Sequence, residues 1–255
     1  MQNPFGSTGM AAGYANFRPP VHGRIVELAQ AHLQPREKVR RALDIGCGAG
    51  LSTKALEGFA DHCIGIEPAE PMLHWSAALA PNADFAAGTA EQIPIAAHSV
   101  DLITAAGSLN YSNLDLFFPE ARRVLTSTGV LIVYDFQTGR TFPDSSSLDD
   151  WFANFISRYP WPPSEARTIS PQILTQLDSG FRMQGHESFQ IPITLTPGFY
   201  LEYMMTETNV AFALRNGVPE EEIRSWCVES LRPVWDGVNR EVVFKGYFAC
   251  MVPSR

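Results

Sequence analysis

The sequence predicts an α/β fold: a doubly wound, mostly parallel sheet covered by helices on both faces, with a helical cap. Three observations carry this. Short apolar runs at Arg41–Ile45, His62–Glu67, Val100–Ala105 and Val130–Tyr134 alternate with segments of helical period, and near-continuous apolar strands belong to parallel sheets buried on both sides. The first run passes through Asp44 into Gly46-Cys47-Gly48-Ala49-Gly50. The C-terminal third holds two further runs, Gln190–Leu195 and Glu241–Val252.

Each element has a local reason. Residues 1–18 are Gly-rich and polar and are expected to form a flexible arm whose end can become ordered. Val21, Ile25, Leu28 and Ala29 recur at helical spacing up to about Leu33, and Pro35 stops that helix. A helix begins near Leu51, after the glycines. Ala83–Ala87 is a weaker strand that fits between the second and third apolar runs. Asn113–Thr126 reads as a helix, and Thr128-Gly129 turns into the next strand. Pro192 marks Gln190–Leu195 as an edge strand, because proline cannot complete a ladder. The last run alternates Val242, Phe244, Gly246, Phe248 and Cys250 on one face.

Two stretches, about 137–170 and 197–237, exceed what simple connections need. The first contains Trp151, Phe152, Phe155, Tyr159 and Trp161; the second reads as two helices, Gly198–Arg215 and Pro219–Val234. Long insertions beside a doubly wound sheet often carry lids or binding loops. Both are read as an aromatic cap over a substrate, with Trp151, Phe155, Trp161, Tyr200 and Tyr203 as lining residues.

Bulk properties narrow the function classes. A chain of 255 residues is expected to form one domain. A net charge of −8 argues against a nucleic-acid surface, which needs clustered Lys and Arg. Four cysteines without CxxC spacing and six scattered histidines suggest no metal site. Free thiols, no basic or apolar leader and no long apolar stretch lead to a cytoplasmic expectation without membrane contact. Monomer and homodimer both remain open.

The glycine spacing is not that of a dinucleotide loop, whose third glycine would fall at Leu51. A carboxylate at Asp44 would also repel a pyrophosphate. Asp44-x-Gly46-x-Gly48-x-Gly50 instead resembles motif I of the class I S-adenosylmethionine (SAM)-dependent methyltransferases. Glu67, about 20 residues further on, can accept two hydrogen bonds from a ribose diol.

The resemblance implies a sheet of order 3-2-1-4-5-7-6 with strand 7 antiparallel, and SAM as cofactor. It implies that Asp44, Gly46, Cys47, Gly48, Gly50, Glu67 and Pro68 hold the cofactor, with Met72 near the adenine. Gly88-Thr89-Ala90-Glu91-Gln92-Ile93-Pro94 is similar to the family's adenine-bordering loop, which adds Thr89, Ala90 and Glu91. Ala105 and Ala106, at the end of the fourth strand, are expected beside the methionine part, and Asn110 and Tyr111 beside the methyl acceptor. Tyr14-Ala15-Asn16-Phe17-Arg18-Pro19 looks like the N-terminal arm of small-molecule methyltransferases related to the ubiquinone/menaquinone and trans-aconitate enzymes, which makes Tyr14 a further acceptor-facing candidate. Glu120–Leu125 is similar to the family helix before the fifth strand, and Tyr200–Thr206 resembles a trans-aconitate-type cap segment.

The sequence therefore suggests a methyltransferase acting on a small, apolar or aromatic acceptor by in-line displacement, with O-methylation favoured. No catalytic base is legible. A non-catalytic SAM-binding protein is the alternative. A nicotinamide oxidoreductase is disfavoured by Leu51, and nucleic-acid or protein methylation by the charge and by the lack of an Asn-Pro-Pro-Tyr motif.

Overall fold

The computed structural model describes residues 8–33, 38–164 and 166–254, with side chains from residue 11 onward. Seven strands form one sheet: β1 (Val39–Ile45), β2 (Ala60–Glu67), β3 (Ala83–Ala87), β4 (Val100–Ala106), β5 (Leu125–Phe136), β6 (Phe181–Leu195) and β7 (Arg240–Pro253). Their order is β3-β2-β1-β4-β5-β7-β6. β1 to β5 are parallel, and β7 runs antiparallel between β5 and β6. The order reverses between β1 and β4, where the carboxyl ends of an open sheet leave a crevice.

Ten helices flank the sheet among the described residues: α1 (Thr8–Phe17), α2 (His22–His32), α3 (Leu51–Leu56), α4 (Glu70–Leu79), α5 (Leu114–Val124), α6 (Ser147–Arg158), α7 (Pro171–Gln176), α8 (Pro197–Met205), α9 (Thr208–Arg215) and α10 (Glu220–Trp235). One apolar layer joins Ala42, Leu102, Ile132 and Phe248 of the sheet to α2, α6 and α8–α10. The other joins Leu43, Ile103, Leu131 and Met251 to α5 and α7. Alternate strand residues thus face opposite layers, as the pleat requires.

Several boundaries differ from the sequence expectation, each for a physical reason. β6 starts at Phe181 rather than Gln190. Its first half, Phe181-Arg-Met-Gln-Gly-His-Glu-Ser, is too polar to read as a strand, yet an edge strand needs only one buried face and backbone bonds to β7. Pro192 sits on that edge strand, opposite Val243. Helix α5 ends at Val124, and Thr128-Gly129 falls inside β5, where the pairing with β4 shifts register between Val100 and Leu102. The helix expected over Gly198–Arg215 divides at Thr206-Glu207, where Glu207 turns inward. Pro35, read as the stop of α2, lies outside the described residues.

The described end of the N-terminal arm is ordered. Thr8–Phe17 is helical, and Ala11 and Ala15, one turn apart, are buried against Ala49, Ala69 and Met72. Small side chains at that spacing let a helix lie close to its neighbour. Residues 1–7 lie outside the described residues.

The aromatics of the two insertions pack chiefly on one another. Trp151 stacks on Phe155 at 5.1 Å and on Trp226 at 5.9 Å, and meets Tyr200 edge-on at 6.0 Å. Tyr200 in turn contacts Tyr203 and Trp235. All but Trp226 are fully buried in the layer that covers β5 and β7, and Trp161 is exposed. These rings pack on one another in the core of the insertions, where mutual contact buries their area.

Candidate functional site

The loop between β1 and α3 depends on glycine. Gly46, Gly48 and Gly50 have φ of 68°, 53° and 94°, the left-handed region that other L-residues enter at a cost of roughly 1–2 kcal/mol. A Cβ on Gly46 would stand 2.4 Å from Ser108 Cβ, and one on Gly50 would stand 2.9 Å from Ser76 Cα. A Cβ on Gly48 would meet nothing within 4 Å. Gly48 is thus where the loop backbone faces open space, and Gly46 and Gly50 are where it is clamped.

Two acids hold this loop from below. Asp44 is fully buried. Its Oδ2 accepts bonds from Ser52 Oγ (2.6 Å) and Thr53 Oγ1 (2.8 Å), and its Oδ1 accepts one from Thr104 Oγ1 (2.8 Å). It therefore ties β1 to the start of α3 and to β4. Burial pushes its carboxyl up to about 6 against the pull of the three hydroxyls. Glu67 accepts from Gly48 N–H at 3.0 Å and from Ala69 N–H at 2.8 Å, and burial raises its pKa too. Each Glu67 oxygen keeps a lone pair for a diol. Cys47 is buried and Pro68 is exposed.

The remaining candidates separate. Met72 is buried beneath α1 in the small cluster with Ala11 and Ala15. Thr89 is exposed and Ala90 is buried at the edge of the same crevice. Glu91 Oε1 accepts from Asn113 N–H at 2.7 Å, at the start of α5, and so orders a loop. Arg123 donates to the carbonyls of Ile93 and Ile95 at 2.8 Å each, while Glu120 accepts from Ile93 N–H at 3.0 Å. The Glu120–Leu125 segment thereby pins the 88–94 loop. Ala105 is buried and Ala106 half-buried at the end of β4.

Two of the acceptor candidates follow β4, and one of them reaches the end of β5. Asn110 and Tyr111 form a short 3-10 turn after β4. Asn110 Nδ2 donates to Asp135 Oδ2 at 2.9 Å, and Tyr111 is 59% exposed. Tyr14 comes from α1. Burial pushes Tyr14 up to about 12.

Sequence reasoning missed Asp135 and Arg18. Asp135 follows the apolar run Val130–Tyr134 as Asp44 and Glu67 end their own strands, and that position was the available signal. It is partly buried, which raises its pKa against the bonds from Asn110 and from Phe136 N–H. Arg18 lies 3.8 Å over the Tyr14 ring and 5.1 Å from that of Tyr203. Its Nη1 pairs with Glu207 Oε1 at 3.0 Å, and its Nη2 donates to Thr206 O at 3.1 Å. Only its place in the Tyr14–Pro19 segment hinted at this. His22 shares a 2.9 Å hydrogen bond with the Tyr134 hydroxyl, and burial and Arg18 push it down to about 4. It is neutral at physiological pH.

Residues 43–133 match a family profile described as a methyltransferase domain. A methyltransferase-named protein of Dictyostelium discoideum is 33% identical over 132 residues, covering 52% of this chain and 48% of that protein. The chain spans about half the length of the curated relatives first matched. A protein described as a type II methyltransferase from Anaeromyxobacter dehalogenans superposes with a TM-score of 0.70 at 22% identity, over 93% of this chain and 99% of that one. A Haemonchus contortus phosphoethanolamine N-methyltransferase 2, in complex with SAM, superposes with a TM-score of 0.55 at 15% identity, over 98% and 58%. At these identities the superpositions establish the fold.

Proposed function

We propose that the protein, whose residues 43–133 match a methyltransferase-domain profile, transfers a methyl group from SAM to a hydroxyl of a small molecule bound at the ends of β4 and β5. One observation carries the cofactor half of this reading. Glu67 and three left-handed glycines hold a loop whose open side is Gly48, which is the shape a close-approaching ligand requires. Gly48, Glu67, Ala90, Ala105 and Ala106 would border SAM, and Asp44 would act through the loop that it braces. SAM, when bound, supplies an electrophilic methyl group on a sulfonium. The chain's own task is to align an acceptor with it and exclude water.

The polar set Asn110, Tyr111, Tyr14 and Asp135 supports a hydroxyl-bearing acceptor. The closed packing of the cap aromatics withdraws the argument for a purely apolar one. Incubating the protein with SAM and a panel of small phenols and enols, and measuring S-adenosylhomocysteine, tests this reading. SAM binding without turnover on any acceptor would leave the non-catalytic alternative.

Asp44 makes cofactor binding pH-dependent. Its folded pKa of about 6 lies above the unfolded value, which is about 3.9. Its contribution to stability is therefore present below about pH 4 and is lost as pH rises through about 6. A cationic ligand favours the ionised carboxylate. SAM affinity should rise from pH 5 to about pH 6.5 and then level, with proton release on binding below that. Calorimetry in buffers of different ionisation enthalpy reads the proton directly. Asp44→Asn should remove it, whereas release that persists in this variant would assign the proton to Glu67.

A further inference from the structure

The third strand-end acid, Asp135, accepts one bond on each carboxylate oxygen, from Phe136 N–H at 2.8 Å and from Asn110 Nδ2 at 2.9 Å. Asp44 and Glu67 are engaged by five groups of the loop and its supports. Asp135 stands at the carboxyl end of β5, the strand beside β4. Beside it, Gly107 ends the loop backbone of β4 with φ 63°, and a Cβ there would lie 3.1 Å from Asp135 Oδ1. That oxygen accepts Phe136 N–H and keeps a second lone pair, on the side that the missing Gly107 side chain leaves uncrowded. The other oxygen is oriented by Asn110 Nδ2 at 2.9 Å. Across the sheet, Tyr247 of β7 is the register partner of Asp135. Its hydroxyl is buried with no hydrogen-bond partner among the described residues. Buried hydroxyls are rarely left so unless a further group completes them.

We propose that Asp135 accepts the proton of the acceptor hydroxyl, with Asn110 as its positioning residue and Tyr247 as a hydrogen-bond donor to the acceptor oxygen. The inference rests on reading the strand ends as a methyl-transfer site. In the step, the acceptor O–H bond breaks and its proton passes to a carboxylate oxygen of Asp135. The electron pair left on oxygen forms the bond to the methyl carbon. The carbon–sulfur bond breaks with its pair remaining on sulfur, and the proton later leaves Asp135 for solvent. A partly desolvated carboxylate suits this task, because general-base efficiency grows as its basicity approaches that of the group it serves.

The experiment compares phenol with 4-nitrophenol, which ionises near neutrality without help. SAM binding by calorimetry is measured first on each protein, so that a failed cofactor reading is distinguished from a failed base. With phenol, Asp135→Asn should lower turnover by roughly 100-fold or more, the usual range for a lost general base. With 4-nitrophenol the loss should stay below about tenfold, since the acceptor supplies its own anion. A second readout needs no turnover. With S-adenosylhomocysteine present, the wild-type protein should hold 4-nitrophenol neutral, seen as loss of the anion's visible absorbance, and Asp135→Asn should not. Asn110→Ala should show the same pattern more weakly and serves if Asp135→Asn fails to fold. Equal losses on both phenols, identical spectra for both proteins, or no binding of either phenol by a protein that binds SAM would overturn the proposal.

Discussion

Gly46→Ala is expected to abolish SAM binding and destabilise the domain, while Gly48→Ala should abolish binding far more than it destabilises. Both positions have left-handed φ, so each alanine meets a backbone cost of roughly 1–2 kcal/mol. At Gly46 the new methyl also lands 2.4 Å from Ser108 Cβ. Ser108 cannot swing away cheaply, because its hydroxyl donates to Ile45 O at 2.6 Å. The strand end and the turn after β4 must separate, and a total of about 3 kcal/mol or more is expected, the range of severe backbone and overpacking changes. At Gly48 nothing is struck, so stability should fall only by the conformational cost of roughly 1–2 kcal/mol. Its methyl does occupy the open side of the loop. Affinity should drop by at least about 100-fold, equivalent to about 2.8 kcal/mol. Thermal melts and calorimetry on both variants decide. Wild-type SAM affinity in Gly48→Ala would show that the open side of this loop is not where the ligand lies.

Arg18→Met should cost about 3–5 kcal/mol of stability, because it strands Glu207, whose side chain is 6% exposed. The guanidinium also stacks on Tyr14 and bonds the Thr206 carbonyl, so α1 loses its attachment to the α8–α9 junction. Glu207 gives this loss a pH signature. Burial already raises its pKa despite the pull of Arg18 and Thr138, and removing the cation raises it further. A carboxyl whose folded pKa is raised contributes stability below its unfolded pKa and loses it as pH rises through the folded value. The deficit of Arg18→Met should therefore be largest at neutral pH and shrink towards pH 5. Adding Glu207→Gln should recover much of it. Denaturant unfolding at the two pH values checks both statements, and a deficit independent of pH would mean that packing of the Arg18 stem, not the charge, is what the structure needs. The same buried contacts imply that removing residues 1–18 lowers stability.

The parts legible in the sequence were those set by neighbours in the chain. Apolar runs marked β1 to β5, Pro192 marked the edge, and the family resemblance supplied the order β3-β2-β1-β4-β5-β7-β6 that the structure shows. The glycine loop was legible because positive φ excludes other residues at three positions. The polar half of β6 was not, since a single-faced edge strand needs little apolar pattern.

What only the tertiary structure decided lies between residues far apart in the chain. Asp44 reads as a ligand-facing acid, and the structure adds the groups that brace it, Ser52, Thr53 and Thr104. The cap aromatics read as chamber walls, but they pack on one another. Arg18 finds Glu207 and Asp135 finds Asn110 and Tyr247 only once the sheet has formed. Periodicity and turn chemistry state which face a residue takes within its own element. Which partner completes a buried polar group depends on the packing of distant elements, where an unpaired charge or hydroxyl is too costly to leave.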